Sequence, residues 1–324
     1  MRLVMMGTGT FAEPTFQALI ESDLPVVGLI TQPDKQKGQA RGSTRQTTQG
    51  IKQIALDHDI PVYQPESINT EEGVARLREM KPDLLVVAAY GQILSAEVLD
   101  AAPQGGINVH ASLLPKYRGA APIAWAIYHG ETETGVTIIR MSTRLDAGDM
   151  LAQESTPIGA TETAGEVESR LAPLGAKMAL DVIQRMEMGP VEGPKQDQSL
   201  VTKAPKLKKH HGLLDWTKKA EQIERQIRAM HPWPTAYTFL HRQGKKPQRV
   251  IVHRSQVVDA SHDCEPGQVV ISEEKTRLLV AAAEGTTLEV LELQPAGKKR
   301  MPASDLLRGH PLTSNDRFGA EVES

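Results

Sequence analysis

One short run constrains the fold more than any other. Asp83 to Ala89 reads D-L-L-V-V-A-A. Apolarity that continuous, without the alternation of a half-exposed strand, marks a strand covered on both faces, as in the middle of a parallel sheet. The segments before it agree. Leu3 to Met6 and Val26 to Ile30 read as short buried strands, and Pro61-Val62-Tyr63 as a third. Helices are predicted up to Ser22, around Ile51 to His58, and over Glu71 to Met80, where Val74, Leu77 and Met80 recur at helical spacing. Strands alternating with helices fold as an α/β, doubly wound, Rossmann-like parallel sheet.

The turn after the first strand, G-T-G-T-F-A, resembles a dinucleotide-binding fingerprint. That chemistry wants a carboxylate closing the second strand to hold a ribose. Here Ile30 is followed by Thr31 and Gln32, with no acid before Asp34. A tight strand-to-helix turn is the simpler reading, and a dinucleotide-binding protein is the alternative from another functional class.

The length of 324 residues predicts a second domain. Gly189-Pro190 and Gly193-Pro194 punctuate a polar stretch, so a first domain is predicted over 1–189, a linker over 190–207, a second domain over 208–314 and a tail over 315–324. In the second domain an amphipathic helix, Ala220 to Met230, precedes several short apolar segments: Ala236 to Leu240, Val250 to Val258, Gln268 to Ile271, Leu278 to Ala282 and Leu288 to Leu293. Short strands with turn signals predict a small β-barrel of the oligonucleotide-binding type. From Lys208 onward, 18 Lys and Arg against 15 Asp and Glu leave +3, set against −6 in the preceding part. A mildly basic second domain permits a nucleic-acid partner, and a plain solvated surface explains it equally well.

Cys264 is the only cysteine, which excludes an internal disulfide and a cysteine-based metal site, and no metal is expected. No apolar run approaches the roughly 20 residues of a membrane span. The opening M-R-L-V-M-M-G is too short in apolar residues for a secretion signal. A cytoplasmic, monomeric protein without a membrane partner is the expectation.

The chemistry concentrates between Gly106 and Gly148. Ile107 and Val109 alternate with Asn108 and His110, so the two polar side chains share one strand face. A second apolar strand, Gly135 to Met141, leads to Asp146 in a D-A-G turn. An amide, an imidazole and a carboxylate brought together at the ends of neighbouring strands can hold an oxyanion and manage a proton. No Ser or Cys nucleophile is obviously placed beside them, which favours direct transfer over a covalent intermediate; in acyl transfer to an amine, two donors would hold the oxyanion and the carboxylate–imidazole pair would manage the amine proton. Asn108 as a turn residue, His110 as a core histidine and Asp146 as a turn cap is the structural alternative.

N-V-H-A-S-L-L-P-K-Y-R-G-A-A-P-I, from Asn108 to Ile123, together with the later L-D-A-G-D, is similar to the folate-dependent formyltransferases. The S-L-L-P-x-x-R-G run, Ser112 to Gly119, is the specific part. The resemblance implies that Asn108, His110 and Asp146 are the catalytic set and that the formyl donor is 10-formyltetrahydrofolate. It also implies a folate pocket built from Tyr90, Gly91, Gln92, Ile93, Leu94, Ser112, Leu113, Leu114, Pro115 and Asp146.

The later runs T-K-A-P-K-L, R-Q-I-R-A-M-H-P-W-P and L-Q-P-A-G-K-K-R-M-P-A-S-D-L-L-R-G-H-P-L look like the family members that formylate methionine carried on initiator tRNA. That resemblance extends to about Leu312. It implies transfer to the α-amino group of methionyl-initiator tRNA, with Lys203, Lys206, Lys208 and Lys209 facing phosphate. Members that formylate a sugar-nucleotide amine are the competitor within the family. The polar loop after the second strand reads by its composition as a surface loop without a role, whereas the resemblance implies a further tRNA contact there through Arg41, with Arg45 as the second choice. There the family pattern is broken: Gly50-Ile51-Lys52 stands where Pro-Val-Lys is usual.

Overall fold

The computed structural model describes residues 1–34, 50–260, 262–271, 276–309 and 311–321. Arg41 and Arg45 lie outside the described residues. The chain divides into two compact units, each considered by itself: Met1–Ile123, Glu133–Ile158 and Glu166–Lys206 form the first, and Ala124–Thr132, Gly159–Gly165 and Leu207–Ser324 the second.

In the first unit the chain runs β1 (Leu3–Gly7), α1 (Glu13–Glu21), β2 (Val26–Ile30), α2 (Ile51–Asp57), β3 (Val62–Tyr63), α3 (Glu71–Glu79), β4 (Leu84–Ala88), α4 (Ala96–Leu99) and β5 (Gly106–His110). A two-residue strand, β6 (Arg118–Gly119), precedes β7 (Glu133–Arg140) and β8 (Met150–Pro157), and the intervening helix, α5 (Pro122–His129), belongs from Ala124 onward to the second unit. The long α6 (Ala164–Met188) and a second short strand, β9 (Lys203–Ala204), follow. Seven strands form one sheet in the order β3-β2-β1-β4-β5-β7-β8. The pairs from β3 to β5 are parallel, and β5–β7 and β7–β8 are antiparallel. The run that reads as a central strand is one: every residue of β4 is buried.

Register assigns the faces. Met6 pairs with Val87 and Val87 with Asn108, so these side chains point the same way. On that face Val4, Met6, Leu85 and Val87 pack with Val74 and Leu77 of α3 and Val98 of α4. The other face carries Val109 and Val136, which lie against Gly175 of α6. A side chain at Gly175 would meet Val109 Cγ1, so α6 approaches β5 closely because it presents no Cβ there.

The stretch predicted as a linker packs into this unit. Val191, Gln196 and Ala204 are buried, and β9 pairs with β6. Its Pro- and Gly-rich composition reads as a tether because its buried side chains are isolated along the chain and form no periodic pattern.

In the second unit, α7 (Ala220–Ala229) is followed by β10 (Ala236–His241), β11 (Gln248–Val258), β12 (Val269–Val270), β13 (Leu278–Ala281), β14 (Thr287–Pro295), β15 (Met301–Pro302), α8 (Ala303–Gly309) and β16 (Arg317–Gly319). The antiparallel sheet runs β12-β13-β14-β11-β10-β16, with β15 on β14. Its two ends meet. Gln268 bridges Arg317, the Val269 N–H donates to the Asp316 carbonyl at 3.0 Å, and the Phe318 N–H donates to the Gly267 carbonyl at 2.7 Å. The sheet is thereby nearly closed into a barrel. The segment from 315, expected as a tail, supplies β16 and closes this ring. Three residues, R-F-G, are too few to show an alternating pattern in the sequence. Ile223 and Ile227 of α7 are fully buried, in keeping with its amphipathic reading, and the helix packs on β11 and β14.

Candidate active site

Asn108 and His110 project from β5 toward the face that carries α3 and α4. Asn108 is half-buried and His110 buried. The sequence suggests that Asp146 joins them at neighbouring strand ends. The structure brings the three together by another route. His110 pairs with Thr137 and Ile107 with Arg140, so β7 runs antiparallel to β5 and ends at the amino end of β5. The loop 141–149 then folds back along the sheet face and lays Asp146 over Asn108 and His110. Asp146 Oδ1 accepts from Asn108 Nδ2 at 3.4 Å, and Oδ2 stands 3.7 Å from His110 Nδ1.

Two backbone groups complete the arrangement. Asp146 Oδ2 accepts the Gly119 N–H at 2.8 Å. His110 Nε2 lies 3.0 Å from the Tyr117 carbonyl oxygen. A carbonyl only accepts, so Nε2 must carry a proton. Nδ1 is left as the nitrogen facing the carboxylate, and an imidazolium donates at both positions. The Tyr117 carbonyl therefore shares with Asp146 the duty of orienting the ring.

The loop that supplies these groups is held by backbone that few residues adopt. Tyr117 has φ +62° and Gly119 φ +131°. A Cβ at Gly119 would run into the Ala204 carbonyl oxygen of β9. The Tyr117 N–H donates to Thr202 Oγ1 at 2.8 Å and the Arg118 N–H to the Thr202 carbonyl at 2.9 Å. Asp146 is itself left-handed, at φ +47°. Such conformations persist where surrounding contacts over-determine them, and they gather at functional sites.

The preceding segment is fixed by one buried hydroxyl. Thr137 Oγ1 donates to the Ser112 carbonyl at 2.7 Å and accepts from the Leu114 N–H at 3.1 Å and from Gln153 Nε2 at 2.9 Å. Ser112 Oγ donates to the Lys116 carbonyl at 2.7 Å. Gln196 is buried, accepts from Arg118 Nε and Nη2, and donates to the carbonyls of Asp146 and Gly148. Burial, and then the nearby Arg144, hold the Arg118 guanidinium below its ordinary value.

The residues implied for folate fall into two groups. Gly91, Gln92 and Ile93 form a loop after β4 in which Gly91 (φ +83°) and Ile93 are exposed. Gln92 Oε1 accepts the Ile68 N–H at 3.0 Å, and Asn69 Nδ2 donates to the Ile93 carbonyl at 2.8 Å, so the loop is braced from the side. Leu113 and Pro115 are half-buried. By contrast, the side chains of Tyr90 and Leu94 lie inside the α3–α4 core, and Ser112 and Leu114 are buried. Burial pushes the Tyr90 hydroxyl upward, and among the described residues that hydroxyl has no hydrogen-bond partner.

Lys203 and Lys206 are exposed in the first unit, and Lys208 and Lys209 are exposed in the second. Among the described residues no group of three or more His, Cys, Asp or Glu is placed to hold a metal. At the end of β2, where a dinucleotide fold would place its carboxylate, stand Thr31 and Gln32. The Thr31 hydroxyl lies 3.2 Å from that of Thr8, and Gln32 Nε2 donates to the Tyr90 carbonyl. Asp34 is engaged by Lys52 and Gln64.

The comparisons with known proteins fit this geometry. A formyl transferase family profile matches residues 1–183, and a formyl transferase C-terminal domain profile matches residues 206–311. The chain belongs to the formyltransferase family. It is 42% identical over 322 residues to the methionyl-tRNA formyltransferase of Bacillus subtilis, covering 99% of both chains. It is 43% identical over 324 residues to that of Citrifermentans bemidjiense, covering 100% of this chain and 98% of the relative. Among solved structures, an N-formyltransferase from Helicobacter canadensis, in complex with folinic acid and dTDP-3-aminofucose, superposes with a TM-score of 0.65. That match has 17% identity and covers 89% of this chain and 98% of the other, and it shows a shared fold.

The structure brings Asn108, His110 and Asp146 within hydrogen-bonding or ion-pair range, and the groups that hold them carry no clear signal in the sequence. Tyr117, Arg118 and Gly119 lay inside the quoted motif without an assigned duty. Gln196 lay in the supposed linker, and its one available signal was a glutamine isolated among charged and Pro/Gly residues.

Proposed function

We propose that this formyltransferase moves the formyl group of 10-formyltetrahydrofolate to the α-amino group of methionyl-initiator tRNA. The observation that carries the choice of acceptor is the full-length match. Relatives named methionyl-tRNA formyltransferase align through both units at 42–43% identity. The Helicobacter canadensis N-formyltransferase in complex with dTDP-3-aminofucose shares the fold at 17% identity.

The residues divide the work as follows. The neutral amine attacks the formyl carbon, a C–N bond forms, and the carbonyl oxygen gains charge. Asn108 Nδ2 and a protonated His110 Nδ1 are the donors for that oxyanion. Such donors act strongly because they are fixed before charge develops. The amine must lose a proton and N10 of the folate must gain one as its bond to carbon breaks. The Asp146 carboxylate, next to both donors, is the group able to accept and pass on that proton. The long separations of 3.4 and 3.7 Å suit groups that tighten around a reacting centre.

The loop Gly91–Ile93, the segment around Leu113 and Pro115, and Asp146 are assigned to the folate. Lys203, Lys206, Lys208 and Lys209 are assigned to phosphate, with Arg41 and then Arg45 reaching the acceptor stem. The protein acts as a cytoplasmic monomer. The test uses charged initiator tRNA and 10-formyltetrahydrofolate with wild-type protein and Asn108→Ala. Formylmethionyl-tRNA from the wild type, formed about 10²–10³-fold more slowly by Asn108→Ala at equal folded concentration, supports the reading. Equal turnover by both removes Asn108 from it.

A further inference from the structure

We propose that Gln196 is a positioning residue for formyl transfer, clamping the Asp146 turn to Arg118 so that the Asp146 carboxylate stays against Asn108 and His110. This rests on the functional reading above for what the site transfers, but not for the clamp itself.

The geometry of one carboxamide carries it. Gln196 Nε2 donates to the Asp146 carbonyl at 2.8 Å and to the Gly148 carbonyl at 2.8 Å, which uses both of its protons. Its Oε1 accepts from Arg118 Nε at 3.0 Å and Nη2 at 2.7 Å. The amide orientation follows from chemistry. A flipped amide would set its oxygen against two carbonyl oxygens and its NH2 against a guanidinium. Every polar group of this buried side chain is therefore engaged, and each partner touches the site. Arg118 immediately precedes Gly119, whose N–H holds Asp146 Oδ2. Asp146 is thus gripped twice, at its carboxylate through Gly119 and at its carbonyl through Gln196, and Arg118 ties the two grips together. Its left-handed backbone needs such a grip.

Glutamate is the informative replacement. It keeps an acceptor for Arg118 but turns the other oxygen toward the Asp146 and Gly148 carbonyls, which repels the turn. A group 1 Å out of place costs about 10²-fold in rate. Gln196→Glu and Gln196→Ala should therefore lower kcat by about 10–100-fold while KM for both substrates changes by less than about threefold.

The experiment has two readouts. The first is steady-state formylation of methionyl-initiator tRNA by wild type, Gln196→Glu and Gln196→Ala. The second is the NMR titration of the His110 imidazole in the same proteins without substrate. The clamp predicts a kcat loss with KM kept, and a displaced His110 titration in variants that melt as the wild type does. Wild-type kcat, or a loss matched by the unfolded fraction with an unmoved His110 titration, overturns it. If neither Gln196 variant folds, Arg118→Lys, which cannot present two parallel donors to Oε1, takes the same comparison with the same outcomes. A wild type that does not formylate this tRNA contradicts the functional reading, and the His110 titration still decides the clamp.

Discussion

At the scale of single residues, Asp146 is where the constraints meet. Its two oxygens serve Asn108, Gly119 and His110. Replacing Asn108 by Ala should lower kcat by about 10²–10³-fold, the usual cost of losing an oxyanion donor. Asp146→Asn, which keeps the shape and removes the charge, should be comparably severe. The double variant should fall well short of the product of the two losses, because the groups act as a unit. Rapid-quench measurement of the transfer step on folded protein checks both, and independent, multiplicative losses would contradict a shared site. Thr137 belongs to the same scale. Thr137→Val strands the Leu114 N–H and the Ser112 carbonyl in a buried setting and should cost about 1–3 kcal/mol in a denaturant melt. A stability change near zero would mean that water replaces the hydroxyl.

At the scale of elements, the sheet was legible where the chain repeats a rule. The continuous apolar run of β4 and the helical spacing in α3 each follow from burial on one or two faces. Asn108 and His110 were legible as a pair because a strand's period places them on one side. The path of Asp146 was not, since nothing in G-V-T-I-I-R-M tells parallel from antiparallel. Strand β8 escaped notice as an edge strand with a mostly exposed run, Q-E-S-T, and no inward alternation. Strands β6 and β9 are two residues each, too short for any pattern, yet their pairing fixes Gly119 under Asp146. Gly119→Ala tests that element directly. The added Cβ collides with the Ala204 carbonyl, and the residue keeps a backbone that alanine resists. Activity should fall by at least about tenfold as the Gly119 N–H leaves Asp146. A variant with wild-type turnover would separate the β6–β9 pair from catalysis.

At the scale of the whole molecule, the second unit carries two predictions. In the barrel, Arg277 donates twice to Glu289, and this pairing holds the Glu289 carboxyl below its ordinary value. A depressed folded value means stabilisation that is complete above the unfolded glutamate value of about 4.3 and lost as pH falls below it. The melting of the barrel should therefore weaken in that acidic window, and Glu289→Gln should flatten the dependence. An unchanged acid limb in Glu289→Gln would assign the effect to other carboxylates. For the tRNA, replacing Lys208 and Lys209 together by Ala should weaken binding and reduce the slope of log affinity against log salt by about 1–2, as two phosphate contacts disappear. An unaltered slope would place these lysines away from the phosphates.

The account's central claim is the identity of the acceptor, and one competition measures it. Labelled 10-formyltetrahydrofolate is given to the protein with methionyl-initiator tRNA and a dTDP-amino sugar present together, and the label is followed into each. The account predicts that the label enters the methionine amine of the tRNA, that the sugar stays unlabelled, and that Asn108→Ala slows the labelling by about 10²–10³-fold. Label in the sugar amine, with the tRNA unformylated, would contradict it.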